Sequence, residues 1–224
     1  MLIKVCGTTS EDDALLAVAM GANAVGFIFA PSPRRVSVQR VSDIVKRLPR
    51  DEVLTVGVFR NDAPQRVVEV VYGAGLHAAQ LHGAETPAET RWIRQRIPMV
   101  IKALPAGDPR VPQAAEYGAD AILLDAPNPG SGKVFDWALA GDLPEGQRLV
   151  LAGGLNPANV AAAIRAAKPW GVDVASGVEA APGTKDPLKV KEFVAAAREA
   201  ALSVGAGGGA VASRWAPYDW ADDE

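Results

Sequence analysis

The chain has 224 residues and a formal net charge of −3 at pH 7, with 49% hydrophobic and 22% charged residues. This balance is ordinary for a globular protein with a sizeable core, and it indicates neither a nucleic-acid partner nor an anionic membrane. The single cysteine, Cys6, excludes an intramolecular disulfide. The sequence shows no signal peptide and no run of about 20 apolar residues that could span a membrane. We therefore expect a cytoplasmic protein.

Eight short and nearly continuous apolar runs are typical of strands buried on both faces of a parallel sheet. They cover residues 2–6, 24–29, 53–59, 77–81, 99–103, 121–125, 148–152 and 172–175. Longer amphipathic segments between the runs predict helices at 10–20, 38–47, 64–72, 87–96, 109–117, 157–167 and 187–202, with only a short helix near 135–140.

An internal echo supports the count of eight units. Gly-x-x-Ala or Gly-x-x-Val recurs from Gly21, Gly75, Gly118 and Gly171, at spacings of 54, 43 and 53 residues. Each spacing is about the length of two βα units in a barrel of roughly 250 residues. The sequence thus predicts one α/β domain, a (β/α)8 TIM barrel over residues 1–202. An open, doubly wound sheet is the alternative, although it would normally carry a glycine-rich turn after strand 1.

The C-terminal residues differ from the rest in composition. Residues 203–224 contain a glycine-rich stretch and then Trp215, Tyr218 and Trp220 among acidic residues. We expect a flexible tail there. A peptide that docks on a partner or on the barrel itself is the alternative.

Reactive groups in such a barrel lie where strands end and in the loops that follow. Leu2, Lys4 and Cys6 share one face of strand 1 because side chains alternate along a strand. The Lys4 ammonium would lower the pKa of the Cys6 thiol and favour the nucleophilic thiolate. If that face is buried, Lys4 needs an anion, and Asp173 on strand 8 is the candidate. An inert core thiol is the simpler alternative.

Asp125 ends strand 6, which lies three strands from strand 1 around an eight-membered ring. A carboxyl group held partly out of water there could deliver a proton across the mouth from Cys6. A simple loop cap is the alternative. His82 after strand 4 is as consistent with a structural histidine as with a catalytic one. Of Arg34 and Arg35 after strand 2, one could bind a carboxylate through two hydrogen bonds.

Two glycine-containing turns predict a phosphate site. Gly153 and Gly154 follow strand 7, and Ser176 and Gly177 follow strand 8, where barrels often bind phosphate through loop amides and a short extra helix. Two tight turns without a ligand are the alternative. Gly130-Ser131-Gly132-Lys133 resembles the end of a nucleotide-binding P-loop, but the earlier glycine of that motif is missing. We interpret that segment as a mobile loop beside the substrate.

Taken together in order, these segments resemble the phosphoribosylanthranilate isomerases of tryptophan biosynthesis. The matching segments are Lys4-Val5-Cys6-Gly7, Gly26-Phe27 with Ser32-Pro33-Arg34, Gly57-Val58-Phe59, Gln80-Leu81-His82-Gly83, Leu123-Leu124-Asp125, Gly130-Ser131-Gly132-Lys133 with Phe135-Asp136-Trp137, Ala152-Gly153-Gly154-Leu155-Asn156-Pro157-Ala158-Asn159-Val160 and Asp173-Val174-Ala175-Ser176-Gly177-Val178-Glu179.

The resemblance implies an Amadori rearrangement of N-(5-phosphoribosyl)anthranilate, a small phosphorylated substrate. It implies Cys6 as general base, Asp125 as general acid and Arg34 as the partner of the anthranilate carboxylate. The phosphate would lie on Gly153, Gly154, Ser176 and Gly177. We also expect His82 and Asp173 to contact the substrate. No cofactor or metal is implied, since the substrate's own imine accepts the electrons, and both a monomer and a homodimer remain open.

Two other interpretations compete with this one. Indoleglycerol-phosphate synthases carry a Lys/Glu set at their strand ends, and the histidine-pathway sugar isomerases carry aspartates at strands 1 and 5. Cys6 and Ala103 occupy those strand ends here, which disfavours both enzymes. A barrel that only binds a ligand belongs to another class, and the acid–base pair argues against it.

Overall fold

The computed structural model of the chain describes residues 1–49, 51–126 and 136–205. Eight parallel strands follow one another around a closed barrel, in which each strand pairs with the next and the last pairs with the first. They are β1 Leu2–Val5, β2 Ala24–Ile28, β3 Leu54–Phe59, β4 Ala78–Leu81, β5 Met99–Pro105, β6 Ala121–Asp125, β7 Leu149–Leu151 and β8 Gly171–Val174. The predicted (β/α)8 barrel is confirmed, and the open-sheet alternative is wrong.

Helices connect most of the strands on the outside. The α-helices are α1 Glu11–Ala19, α2 Val38–Val45, α3 Pro64–Ala74, α4 Pro87–Arg94, α5 Val160–Ala167 and α6 Pro187–Ser203. The fifth and sixth units carry 3-10 helices instead, at Val111–Tyr117 and Trp137–Asp142. Within the described ranges, no helix has the length and apolar character needed to cross a membrane.

One element was not predicted. After β8 the chain forms a single 3-10 turn, Ser176–Val178, and then a short antiparallel hairpin of β9 Glu179–Ala181 and β10 Thr184–Lys185. This hairpin contains two charged residues, Glu179 and Lys185, that form an ion pair. The predicted loop 130–133 and the greater part of the predicted tail, residues 206–224, lie outside the described residues.

The barrel has two apolar cores because the side chains of its strands alternate between two faces. Leu2 belongs to the cluster that fills the barrel, whereas Ile3 and Val5 pack outward against the helices. The cluster inside the barrel combines small and large side chains, among them Ala24, Met99, Ile101, Ala121 and Leu123. The apolar filling leaves the ends of the strands to most of the polar groups, including the residues of the predicted site.

A buried ion pair fixes the loop that carries His82. The Lys102 ammonium, from β5, lies 2.7 Å from the Glu85 carboxylate and also donates to the carbonyl oxygens of Leu81 and Gly83. Glu85 in turn accepts the Gly83 amide. Burial lowers the pKa of Lys102, and burial would raise that of Glu85, but the ammonium beside it holds the pKa of Glu85 below its ordinary value. The end of β4 is thereby held against β5.

We predict that Glu85→Gln destabilises the fold by about 3–5 kcal/mol, because it leaves the Lys102 ammonium buried without its counter-charge. The free energy of unfolding in urea measures the effect. The double variant Glu85→Gln/Lys102→Met removes both charges and should recover most of the loss. Equal destabilisation in the single and double variants would contradict this role for the pair.

Candidate active site

A cavity of about 470 Å³ opens at the C-terminal ends of the barrel strands. All nine residues predicted to form the site line it: Cys6, Arg34, His82, Asp125, Gly153, Gly154, Asp173, Ser176 and Gly177. They come from six of the eight strand ends, so only a closed ring can bring them together. Among the described residues, no group of three or more His, Cys, Asp or Glu side chains is arranged to hold a metal ion.

Lys4 and Asp173 form a buried ion pair at the base of the cavity. They are register partners across the β1–β8 pairing, and the Lys4 ammonium lies 2.9 Å from Asp173 Oδ1. Burial opposes the charge on Lys4, but Asp173 and the neighbouring Cys6 together raise its pKa above the ordinary value. The predicted pairing of these two residues is therefore present in the structure.

The Cys6 thiol lies beside this pair, next to Gly26 of β2. A Cβ atom at Gly26 would approach Cys6 Sγ to 2.7 Å and Lys4 Nζ to 2.9 Å, so glycine leaves the room that both groups occupy. The predicted lowering of the Cys6 thiol pKa is wrong, because the structure gives a raised pKa. Burial raises the pKa of Cys6, and the charge of Lys4 offsets only part of that increase. The burial of Cys6 therefore favours the protonated thiol.

Asp125 is held by a short chain of polar groups. Its Oδ1 accepts the Ala126 amide at 2.7 Å, and its Oδ2 lies 3.1 Å from His82 Nε2. The other ring nitrogen, Nδ1, lies 3.0 Å from Gln80 Nε2. With the Gln80 amide donating, the neutral ring carries its proton on Nε2 and donates it to Asp125. His82 thus orients the carboxyl group across from Cys6.

Arg34 reaches the cavity from the loop after β2, but part of its guanidinium is already engaged. Its Nε and Nη2 donate to the two carboxylate oxygens of Glu179 at 2.7 and 2.6 Å. The hydrogen bond to Glu179 raises the pKa of Arg34. Arg35, the alternative named from the sequence, is an exposed residue and does not line the cavity.

The two glycine turns meet at one side of the cavity. Gly153 and Gly154 have φ angles of 81° and 66°, a region that favours glycine. A Cβ atom at Gly177 would lie 1.9 Å from the Leu155 carbonyl oxygen, so the loops after β7 and β8 are in direct backbone contact. The 3-10 turn begins at Ser176, and the first amides of a helix have no partner within it.

A family model described as N-(5'-phosphoribosyl)anthranilate (PRA) isomerase matches residues 3–196. The chain belongs to this family. A relative named N-(5'-phosphoribosyl)anthranilate isomerase, from Desulforudis audaxviator, is 46% identical over 206 residues and covers 89% of this chain and 98% of its own length. The family and the enzyme class predicted from the sequence are confirmed.

Solved structures of the family share the fold. A phosphoribosyl anthranilate isomerase from Thermus thermophilus is 40% identical, with a TM-score of 0.83 over 89% of this chain and 99% of that one. A second structure contains reduced 1-(o-carboxyphenylamino)-1-deoxyribulose 5-phosphate. It is 41% identical, with a TM-score of 0.78 over 89% of this chain and 100% of that one.

Several residues that line or contact the candidate site were not singled out from the sequence. Gln80 and Glu179 lie within motifs that were quoted, but neither was assigned a role. Arg60 lines the cavity at its rim after β3, and Lys185 contacts Glu179 from β10. A lysine in a short hairpin is ordinarily a solvated residue, so the sequence offers no signal for Lys185.

We predict that Cys6 alkylation by iodoacetamide follows a pH profile with its midpoint above that of the urea-denatured chain, since burial raises the thiol pKa. Cys6 is the only cysteine, which makes the measurement specific. Lys4→Met should move the midpoint higher still, because the Lys4 charge lowers the pKa. Lys46→Met, at a lysine whose side chain is 60% exposed, is the control. A folded midpoint at or below the denatured one would refute this picture of the thiol.

Proposed function

We propose that Cys6 and Asp125 are the general base and general acid with which this chain isomerises N-(5'-phosphoribosyl)anthranilate to 1-(2-carboxyphenylamino)-1-deoxyribulose 5-phosphate, a step of tryptophan biosynthesis. One observation carries the proposal. The thiol and the carboxyl group line a single cavity, together with an arginine and two glycine turns. Such a site offers a proton acceptor, a proton donor and contacts for two substrate anions.

Ring opening is assigned to Asp125. Its proton goes to the ring oxygen of the ribose, the bond between that oxygen and C1′ breaks, and the nitrogen lone pair forms the Schiff base. The contacts at Oδ1 from Ala126 and at Oδ2 from His82 fix the direction in which the carboxyl group faces. A fixed donor needs little reorganisation during proton transfer.

Gln80 and His82 form a chain that suits both charge states of Asp125. Gln80 Oε1 is buried without a hydrogen-bond partner in the present arrangement. If the amide group turns over, Gln80 Oε1 accepts a hydrogen bond from His82 Nδ1–H, and His82 Nε2 becomes an acceptor for a protonated Asp125. The same three residues can therefore bind the carboxylate and the carboxylic acid.

Proton abstraction is assigned to Cys6. The thiolate takes the proton from C2′, and the electron pair moves into the imine to form an enolamine. Protonation at C1′, together with loss of the C2′ hydroxyl proton, then gives the ketone. The Lys4 ammonium beside the sulfur stabilises the thiolate, whereas burial favours the thiol. Because the imine accepts the electron pair, this sequence of steps uses no cofactor.

The remaining residues bind the substrate's polar groups in this proposal. The backbone amides around Gly153, Gly154, Ser176 and Gly177 bind the phosphate, supported by the close contact of their two loops. Arg34 binds the anthranilate carboxylate with the guanidinium N–H donors that Glu179 does not engage. Asp173 and His82 line the cavity and can each contact the substrate there.

The setting of the enzyme is also a proposal. We expect catalysis in the cytoplasm, because a phosphorylated intermediate does not pass freely through membranes. The sequence leaves a monomer and a homodimer open. A related isomerase from Thermotoga maritima is described as dimeric, with monomers obtained from it, which supports either state for this chain.

Loss of anthranilate fluorescence during turnover tests the assignment. Cys6→Ser and Asp125→Asn should each lower kcat by about 10²–10⁴, the usual contribution of a general acid or base. Asp43→Asn removes an exposed carboxylate on α2 and should leave kcat unchanged. Turnover close to that of the unmodified enzyme in both site variants would exclude the mechanism.

A further inference from the structure

The hairpin of β9 and β10 brings three charged side chains together beside the cavity. Glu179 binds Arg34 through both carboxylate oxygens, and the Lys185 ammonium lies 3.0 Å from Glu179 Oε1. The Glu179 side chain is 5% exposed and that of Lys185 is fully buried. Burial would raise the pKa of Glu179, but Arg34 and Lys185 together lower it, so the group stays a carboxylate.

Lys185 ties this cluster to two strand ends. Its ammonium donates to the Cys6 carbonyl oxygen at 2.6 Å and to the Ala175 carbonyl oxygen at 3.2 Å. Cys6 follows β1 and Ala175 follows β8, so Glu179 is anchored against the rim of the barrel and not against a surface loop. The Glu179 carboxylate, which binds Arg34, therefore has a fixed position relative to the Cys6 thiol.

The charges of the cluster do not cancel. Two cations, Arg34 and Lys185, share the single carboxylate of Glu179. The other charged groups beside the cavity are matched in number, Lys4 and Arg60 against Asp173 and Asp125. An unbalanced positive charge next to a cavity favours an anionic ligand. Of the two cations only Arg34 lines the cavity, so the ligand's negative charge would meet the guanidinium.

The geometry of the guanidinium matches that expectation. A guanidinium has five N–H donors in a planar fork, and Glu179 engages one on Nε and one on Nη2. The donors on Nη1 and the second donor on Nη2 are not engaged by Glu179. Two parallel hydrogen bonds from Nη1 and Nη2 can bind a second planar carboxylate.

We propose that Glu179 is a positioning residue, anchored by Lys185, that orients Arg34 for the aromatic carboxylate of the substrate. This inference rests on the proposed function, since it assumes that Arg34 binds that carboxylate. Glu179 itself does not touch the reacting atoms. A residue that only stabilises the fold would affect every substrate alike, whereas a residue that orients Arg34 affects only a substrate bearing the carboxylate.

Two substrates separate these roles. Condensing ribose 5-phosphate with anthranilate gives the natural substrate, and condensing it with aniline gives the same sugar phosphate without the carboxylate. Glu179→Gln keeps the shape of the side chain and removes its charge. We expect KM for the anthranilate substrate to rise about 10- to 100-fold, the value of a charge-assisted contact, with a smaller change in kcat. With the aniline substrate, kcat/KM should stay at the level of the unmodified enzyme.

Controls make the outcome specific. Lys189→Met removes a lysine that donates to the Glu179 carbonyl oxygen but not to its carboxylate, and it should leave both substrates unaffected. Glu179→Asp keeps the charge, withdraws it from Arg34 by one methylene group and should give an intermediate KM. If Glu179→Gln fails to fold, Glu179→Asp carries the test with the same comparison of substrates.

The possible failures are distinguishable. If the unmodified enzyme does not convert the anthranilate substrate, the proposed function fails. If it does, and Arg34→Met discriminates between the two substrates while neither Glu179 variant does, the positioning role alone is overturned. Equal losses on both substrates in the Glu179 variants would likewise overturn it, because they would show a purely structural effect.

Discussion

The β1 and β8 strands pair in parallel over four residues, and this seam closes the ring. Lys4 and Asp173 are partners in the seam, and the Lys4 side chain of this ion pair is fully buried. Closure places the end of β1 beside the end of β8, so that Cys6 lies near both the 3-10 turn at Ser176 and the hairpin that follows. Without it, the thiol, the glycine turns and Arg34 would have no common cavity.

The buried charges of this barrel are held in pairs and small clusters. Lys102 and Glu85 fix the loop after β4, which carries His82, and Lys185 and Glu179 fix the loops around Arg34. Each ammonium also donates to backbone carbonyl oxygens of neighbouring strand ends. Breaking any one of these contacts would leave a buried charge without compensation, which is costly.

Much of this arrangement could be predicted from the sequence, for identifiable reasons. Strands buried on both faces are continuous apolar runs in the sequence, so the number of strands and the barrel fold could be predicted from those runs. The two-residue period of a strand predicted that Lys4 and Cys6 share one face of β1. The Arg34–Glu179 contact joins residues 145 positions apart and has no local signal. The strands β9 and β10 are too short for a period to show. The raised pKa of Cys6 results from two opposed effects, the burial of the thiol and the charge of Lys4. Only the three-dimensional arrangement decides which of them is larger.

A substrate deuterated at C2′ tests the division of labour between Asp125 as acid and Cys6 as base most directly. Under single-turnover conditions, Cys6→Ser should show a larger isotope effect than the unmodified enzyme, because breaking the C2′–H bond becomes limiting. Asp125→Asn should show none, because ring opening then limits the rate before that bond is touched. The reverse pattern, or the same isotope effect in both variants, would contradict the assignment of the two groups.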